Sequence, residues 1–328
     1  MRDEKKEICR IFSEASYFVV TSHQNIDGDG LGSALALYFL LWRMGKRARV
    51  VYDGRVPYFY RFLPGSAQVL SFEEFSAEKE PFEVLVVVDC SNPARVGRVE
   101  GFLKEARYVV NIDHHPDNAF FGHANFVVPG SPASALLVYE LARELHISLD
   151  ADIATGILTG VVTDTGGFQF AELNQNLFTV VGELVASGAS LSTIMYHVFR
   201  FRRLEALKLL SRALHRLTFD PVCGCASMYL TQEDFRECGA QEEDAEGVVD
   251  YGLYIPEARV SVFFKEIAPN TYKVSLRSRD GFDVLPVAHY FGGGGHQRAA
   301  GFKITGSFPS VYREVLDFLR TMVLESSK

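Results

Sequence analysis

Four short segments of this 328-residue chain gather side chains that hold cations or move protons. They are His23-Gln-Asn-Ile-Asp27-Gly-Asp29-Gly-Leu-Gly32-Ser33, the lone Asp89, the triplet Asp113-His114-His115, and Val162-Thr163-Asp164-Thr165-Gly166. Singly, each is ordinary: Asp-Gly-Asp makes turns, an aspartate after a strand caps helices, and paired histidines occur on surfaces. Together they offer four carboxylates or more and two or three imidazoles. Carboxylates so gathered cannot all ionise at low cost, and a pair of divalent cations is the natural compensation. Mixed Asp and His donors suit Mn²⁺, Co²⁺ or Mg²⁺, and the absence of cysteine from the set argues against structural zinc. Two such ions about 3.5–4 Å apart would share a carboxylate, activate a bridging hydroxide and clamp a phosphoryl oxygen. No P-loop or dinucleotide-binding glycine pattern follows a strand, which disfavours an NTPase or a nicotinamide dehydrogenase.

These residues need a common edge, and the hydrophobic pattern supplies one. Tyr17–Thr21, Ala48–Tyr52, Val84–Val88 and Tyr108–Ile112 are near-continuous apolar runs of strand length. Continuous runs mean strands buried on both faces, hence a mainly parallel sheet covered by helices. Helical patterns are expected at Ser33–Met44, around Pro57–Val69, at about Val96–Glu105, and over Ala133–Leu145 and Asp152–Val162. Three of the four segments follow strands directly, at the carboxyl edge where open α/β sheets form their crevice. The glycines between Asp27 and Ser33 would let backbone pass close to the metals, and the helix opening there favours anions.

Leu191 to Leu217 reads as one long helical connector. Its cations (Arg200, Arg202, Arg203, Lys208, Arg212, Arg216) are read as a solvated face, with contact to a polyanion as the alternative. Beyond it the pattern changes. Strands are expected at Val222–Leu230, Ala258–Ile267 and Thr271–Ser278, the last two joined as a hairpin, with an acidic helix and loop at Glu233–Glu246. A glycine run, Phe291-Gly-Gly293-Gly294-Gly295-His296-Gln-Arg298, and a last amphipathic helix close the chain.

Composition bounds the function. The chain is 48% hydrophobic and 23% charged, as globular proteins are. A net charge of −8 argues against coating long duplex DNA, though not against a small phosphate ligand. The longest apolar run, Ala34–Trp42, is about half a membrane span. Five scattered cysteines suggest no disulfide framework, and Cys223 and Cys225 read as buried strand thiols rather than zinc ligands. A cytoplasmic location and no membrane association are expected.

At these motifs the chain resembles the DHH phosphoesterase family. The match rests on HQNIDGDGLGS, VVVDCSN, NIDHHPDN and TGVVTDTGGF, then FGGGGHQRAAGF in a smaller DHHA1-type domain. The GGGGH run is similar to the nanoRNase/pAp-phosphatase branch and to standalone cyclic-dinucleotide phosphodiesterases. Ile26 stands where family members often carry proline, at a side chain that is not a ligand. The resemblance implies an α/β fold: a doubly wound, mainly parallel DHH domain at 1–190, a helical linker at 191–217 and an α/β DHHA1 domain at 218–328. It implies that His23, Asp27 and Asp89 hold one metal and Asp29, Asp89, His114 and Asp164 the other, with Asp89 bridging and Mn²⁺ preferred over Mg²⁺ or Co²⁺. His115 is then the imidazole on the scissile phosphate and Asp113 its support.

In the C-terminal domain, Gly293, Gly294 and Gly295 could present amides to a phosphate, with His296 and Arg298 adding charge-assisted hydrogen bonds. Arg277, Ser278 and Arg95 are further phosphate candidates by resemblance. Tyr290 and Phe291 could stack a base, but core packing is the preferred reading. The remaining histidines are read as packing or surface residues. The expected enzyme hydrolyses short RNA to 5′-mononucleotides and 3′-phosphoadenosine 5′-phosphate (pAp) to AMP, and similar proteins suggest a homodimer. The alternative is hydrolysis of cyclic di-AMP or pApA. Pyrophosphatase and processive DNA exonuclease activities are disfavoured. A nucleotide-binding regulator or a metal-stabilised structural protein would hydrolyse nothing.

Overall fold

The computed structural model describes residues 2–78, 80–169, 173–279 and 281–326. The chain forms two compact units, Met1–Phe201 and Arg202–Lys328.

The first unit runs α1 (Arg2–Glu14), β1 (Tyr17–Thr21), α2 (Gly28–Arg43), β2 (Arg47–Tyr52), β3 (Leu70–Ser71), α3 (Phe72–Glu78), β4 (Val84–Val88), β5 (Tyr108–Asp113), β6 (Ala124–Val127), α4 (Ser134–Glu144), α5 (Ala151–Asp164), α6 (Gln175–Ala186) and α7 (Leu191–Phe199). The four expected strands form, and every pair in the sheet is parallel, in the order β3-β2-β1-β4-β5-β6. Successive residues alternate between two cores. Phe18, Val20, Val84 and Val86 pack with α1, α2, α4 and α5, while Val19, Leu85 and Val87 pack against Phe75, Phe82 and Phe102. Fully burying each such aliphatic side chain contributes roughly 1.5–3 kcal/mol, so covering both faces is what stabilises the sheet.

Two helical expectations give way to tighter turns. Pro57–Val69 holds the 3₁₀ turns Tyr58–Tyr60 and Ser66–Gln68, and Pro93–Lys104 is a 3₁₀ stretch broken at Gly97, where φ is 65°. Five elements of this unit lacked a readable pattern: α1, β3, α3, the short edge strand β6, and α6.

Strand order reverses between β1 and β4, which lead to His23–Asp27 and to Asp89. The crevice of a doubly wound sheet opens at such a reversal. Helices α2 and α5 cross at their glycines. A Cβ on Gly32 would lie 2.4 Å from the Gly156 carbonyl oxygen, and one on Gly28 would lie 2.3 Å from Cγ2 of Thr163. That close crossing brings the carboxyl end of α5, and Asp164, to the start of α2.

The second unit runs α8 (Leu204–His215), β7 (Thr218–Asp220), β8 (Cys225–Leu230), α9 (Gln232–Cys238), β9 (Val260–Ala268), β10 (Thr271–Ser278), α10 (Leu285–Tyr290), β11 (Gly294–His296), β12 (Ala299–Thr305) and α11 (Phe308–Ser326). Its sheet has the order β11-β12-β10-β9-β8-β7, antiparallel except between β8 and β9. One face packs Val311, Val315 and Leu319 of α11, and the other packs Leu209 and Ala213 of α8. The expected β9–β10 hairpin forms, and Cys223 and Cys225 are buried free thiols.

The single long connector is replaced by two helices. The amides of Arg200 and Phe201 both donate to the Tyr196 carbonyl, which ends α7, and α8 starts afresh at Leu204. Nor are all its cations solvated. Arg203 pairs with Asp244 at 2.7 Å, Arg212 with Asp234 at 3.1 Å, and Arg216 with Asp234 as well. The acidic segment at 233–246 is their partner.

Candidate metal centre

The loop after β1 is pinned at both ends. The Tyr52 hydroxyl donates to the Gln24 carbonyl and accepts the Ile26 amide at 3.1 Å. Asp27 then caps α2, one carboxylate oxygen taking the amides of Asp29 and Gly30 at 3.1 and 2.9 Å. Its other oxygen, Oδ2, lies 3.7 Å from Nε2 of His23. Asp89 follows β4 at φ 55°, a left-handed conformation that costs a non-glycine residue energy and that clusters at functional sites.

The two oxygens of Asp89 face different partners. Oδ2 lies 3.5 Å from Nε2 of His23, and Oδ1 lies 3.6 Å from Nε2 of His114. The His114 nitrogen is also 3.9 Å from Asp29 Oδ2 and 3.0 Å from Asp164 Oδ2. The donor groups that result include His23–Asp27–Asp89 and Asp29–Asp89–His114, with Asp89 common to both and also grouped with Asp113 and His115. Ligands at about 2.1 Å around one octahedral cation stand roughly 3 Å from their neighbours, so these spacings need only small adjustment to close on two ions. Every sequence-derived metal residue is brought to this one place.

Charge argues the same way. Burial opposes a charged His23 ring, yet Asp27 and Asp89 outweigh it and push its pKa up to about 9. His114 is raised well above its ordinary value, Asp164 overcoming the cost of burial. Burial, then repulsion from Asp89 and Asp164, lifts Asp29, whereas His23, His115 and His114 hold Asp89 low against its own burial. The carboxylates thus draw protons onto their neighbours, and divalent cations are the stronger substitute for those protons. Oxygen and imidazole donors alone fit Mn²⁺, Mg²⁺ or Co²⁺.

Around the donors lies a set of buried hydrogen bonds. His114 Nδ1 meets the Ser131 carbonyl at 2.7 Å, which turns Nε2 toward the acids. His115 Nδ1 meets Asp113 Oδ1 at 2.7 Å, and the amide of Asn118 donates to Asp113 Oδ2 at 2.6 Å and to Asn111 at 2.8 Å. Ser134 donates its amide to Asp29 at 2.6 Å and its hydroxyl to Asp89 at 2.9 Å, and Ala135 donates its amide to Asp29 at 2.9 Å. Sequence reasoning missed Asn118 and Ser134. Asn118 closes the DHHPDN motif already singled out, and Ser134 opens a helix, so each left a faint signal.

Arg95 is exposed, its guanidinium 3.4 Å from the Ser91 hydroxyl, and its carbonyl takes the Gln24 amide at 2.7 Å. Of the glycines between Asp27 and Ser33, only Gly30 lies against a donor, Asp89 Oδ2 being 3.4 Å from where its Cβ would stand. Gly28 and Gly32 face α5 instead.

In the second unit the glycine run becomes an edge strand. The Gly293 amide donates to the Ala288 carbonyl, and a Cβ there would lie 2.1 Å from the Gly301 oxygen, so close packing explains this glycine. Gly294, Gly295 and His296 pair with Gly301, Ala300 and Ala299. Ala299 also pairs with Arg277, which sets His296 and Arg277 on one face of the sheet, since directly paired residues point the same way. Arg277 Nε lies 3.3 Å from Asp250. Arg298 sits in the β11–β12 turn, its carbonyl taking the Ser278 amide at 3.0 Å. Ser278 is 1% exposed and gives its hydroxyl to the Phe282 carbonyl, so it holds the loop rather than facing a ligand. Phe291 stacks on Phe302 at 4.5 Å, as core packing requires, whereas Tyr290 stacks on Phe318 at 4.2 Å but is 65% exposed and lies outside the core.

Comparison with known proteins agrees with this anatomy. Residues 17–161 match the model of the DHH family, N-terminal domain, and residues 228–325 that of the DHHA1 domain. The chain is 36% identical over 307 residues to a Thermus thermophilus protein named bifunctional oligoribonuclease and PAP phosphatase NrnA, covering 92% of this chain and 88% of that one. It is 24% identical to the Bacillus subtilis protein of the same name, covering 92% and 93%. The crystal structure of an exopolyphosphatase-related protein from Bacteroides fragilis superposes with a TM-score of 0.90 at 25% identity, covering 98% of both chains.

Proposed function

The chain belongs to the DHH family, with a DHHA1 domain following, and from that membership we propose a phosphoesterase that hydrolyses short RNA to 5′-mononucleotides and pAp to AMP. The relatives' names supply the substrates. The observation that carries the reading is Asp89, whose two oxygens face two separate donor groups. His23, Asp27 and Asp89 would hold one divalent cation, and Asp29, Asp89, His114 and Asp164 the other. When bound, the cations supply Lewis acidity toward the phosphoryl oxygens and a nucleophilic water at neutral pH. We assign Mn²⁺ as the preferred ion, on the mixed imidazole and carboxylate set.

His115, its ring fixed by Asp113, would donate to a phosphoryl oxygen of the scissile group. His296, Arg298 and Arg277 would bind the 5′-phosphate of the substrate, with the glycine strand and Arg95 as further contacts. One bond then serves both substrates. In a 5′-phosphorylated oligonucleotide and in pAp alike, water adds to the phosphorus on the 3′ side of the first nucleotide. The P–O3′ bond breaks, and the 3′ oxygen leaves with a proton as a 5′-mononucleotide is released.

The same reading assigns catalysis to residues 1–190, a linker to 191–217 and substrate binding to 218–328. It places the enzyme in the cytoplasm, and no single described helix is long and apolar enough to cross a membrane. A homodimer is part of it, with Phe178 and Val185 of α6 exposed at 50% and 45%.

The test uses chelator-stripped protein with a 5′-phosphorylated RNA dinucleotide, pAp and cyclic di-AMP, each with and without Mn²⁺. Mn²⁺-dependent mononucleotide from the first two, with the ring untouched, is expected. Opening of the ring moves the protein to the signalling-nucleotide branch, and silence on all three overturns the enzymatic reading.

A further inference from the structure

Helix α4 starts without a capping side chain of its own, because its N-cap position is Ala133. The first amides of a helix need acceptors, and buried ones left unpaired are costly. Here the acceptor comes from a distant segment. Asp29 takes the Ser134 amide on Oδ2 at 2.6 Å and the Ala135 amide on Oδ1 at 2.9 Å, across 105 and 106 residues of sequence. The positive end of the helix favours the carboxylate in that place. Ser33 adds its hydroxyl at 3.2 Å, so both oxygens of Asp29 are held.

Ser134 makes a second link. Its hydroxyl donates to Asp89 Oδ1 at 2.9 Å, the oxygen that faces His114. The residue is fully buried. Three positions earlier, the Ser131 carbonyl receives Nδ1 of His114. The segment 131–135 therefore touches all three members of the Asp29–Asp89–His114 group, and Ser134 touches two of them with two different atoms. Among the described residues, no other hydrogen bond of that kind joins the two carboxylates.

We propose that Ser134 is a positioning residue for the metal centre, its amide and hydroxyl setting the spacing between Asp29 and the bridging Asp89. Without the hydroxyl, Asp89 Oδ1 loses its 2.9 Å hydrogen bond, and the approaches of His114 and His115 to it, at 3.6 and 3.8 Å, are longer. The cation held by Asp29, Asp89 and His114 then loses affinity, whereas the one held by His23 and Asp27 does so less, because Asp27 is anchored independently by the amides of Asp29 and Gly30. This rests on the two-cation reading above.

The test is Mn²⁺ binding by calorimetry on the full chain, with the paramagnetic resonance of the bound manganese as a second readout. Wild type is expected to bind two ions with a spin-coupled signal. Ser134→Ala should weaken one step by about 10–100-fold, the range for loss of a hydrogen bond that orients a ligand, and should replace the coupled signal by that of isolated ions. Ser134→Thr, which keeps the hydroxyl, should restore both. Ser134→Cys, nearly isosteric and a poor donor, carries the same test should the alanine variant not fold. Two wild-type affinities in the alanine or cysteine variant, or a threonine variant as weak as alanine, overturn the role of the hydroxyl while leaving the two-cation reading intact. A wild-type chain that binds no divalent ion overturns that reading itself.

Discussion

Nδ1 of His115 lies 2.7 Å from Oδ1 of Asp113, two residues back along the chain, while Asn118 holds the other oxygen of the same carboxylate. The imidazole is thereby locked in orientation, which is what the proposed contact of Nε2 with a phosphoryl oxygen would need. Asp113→Asn offers an amide where the ring needs an acceptor. The expected result is a kcat about 10–100-fold lower with two manganese ions still bound. Loss of manganese along with activity would instead make Asp113 part of the metal cluster.

Asp89 carries a different burden, because it is common to both donor groups. Asp89→Ala should cost several orders of magnitude in kcat and remove metal from both positions. Asp89→Asn separates charge from backbone strain, since asparagine tolerates the left-handed φ of 55°. It should unfold no more easily than wild type without metal, yet be nearly as inactive as alanine. Activity retained with two metals bound refutes the ligand assignment, and kinetics paired with metal analysis decides it.

The glycines of α5 make a prediction about geometry. A Cβ at Gly160 would lie 2.4 Å from Asp29 Oδ1 and 2.6 Å from the Ala135 methyl. Gly160→Ala should therefore destabilise by about 1–3 kcal/mol and weaken Mn²⁺ binding through the displaced carboxylate. At Gly182 in α6 an added methyl would meet nothing within 4 Å, so Gly182→Ala should stabilise by up to about 1 kcal/mol and leave metal binding unchanged. Thermal unfolding of the two variants side by side tests whether space or helix propensity governs each site.

These positions show where sequence reading succeeds and where it stops. Asp89 and His114 were legible because each follows a continuous apolar strand, and the parallel sheet that such strands imply has one carboxyl edge. Asp164 was legible as the end of a helical pattern, although what delivers it is the Gly32–Gly156 crossing, which no local pattern states. Ser134 was hidden for a related reason, its two partners lying 105 and 45 residues away. The Leu191–Leu217 connector misled because apolar periodicity continues through Arg200–Arg203, where the backbone turns out of the helix. Its arginines misled too, since their acidic partners come from a segment that composition alone marks as solvated.

That pairing predicts a pH dependence. Asp234 sits at the N-terminus of α9, caps it with Thr231, and receives Arg216 and Arg212. Burial alone would raise its pKa, but these partners hold it well below the usual carboxylate range. A carboxylate depressed in the folded state stabilises fully above its unfolded pKa of about 4, and that stabilisation is lost as pH falls toward the folded value. Asp234→Asn should cost about 3 kcal/mol at pH 7, as when one partner of a buried pair is removed. The gap to wild type should narrow as pH falls below about 4, which urea midpoints at pH 7, 4 and 3 would show. A gap independent of pH would mean that the cap, not the charge, matters.

The proposed 5′-phosphate clamp is best probed at Arg298. Arg277 is the poorer choice, because its removal leaves Asp250 without the cation 3.3 Å away and confounds binding with stability. At Arg298 one contact that ties the turn to β10 is made by the main chain, the carbonyl accepting the Ser278 amide, and alanine leaves that tie in place. A charge-assisted hydrogen bond contributes about 1.5–3 kcal/mol, and Arg298→Ala should lower kcat/KM roughly 10–100-fold for a 5′-phosphorylated dinucleotide and for pAp. A small generic phosphodiester, with no 5′-phosphate to hold, should be hydrolysed at nearly the wild-type rate. Equal losses on both substrate types would make Arg298 structural. The wild-type enzyme gives the complementary measurement: an oligomer stripped of its 5′-phosphate should lose as much kcat/KM as the variant does, and undiminished turnover of that oligomer sinks the clamp.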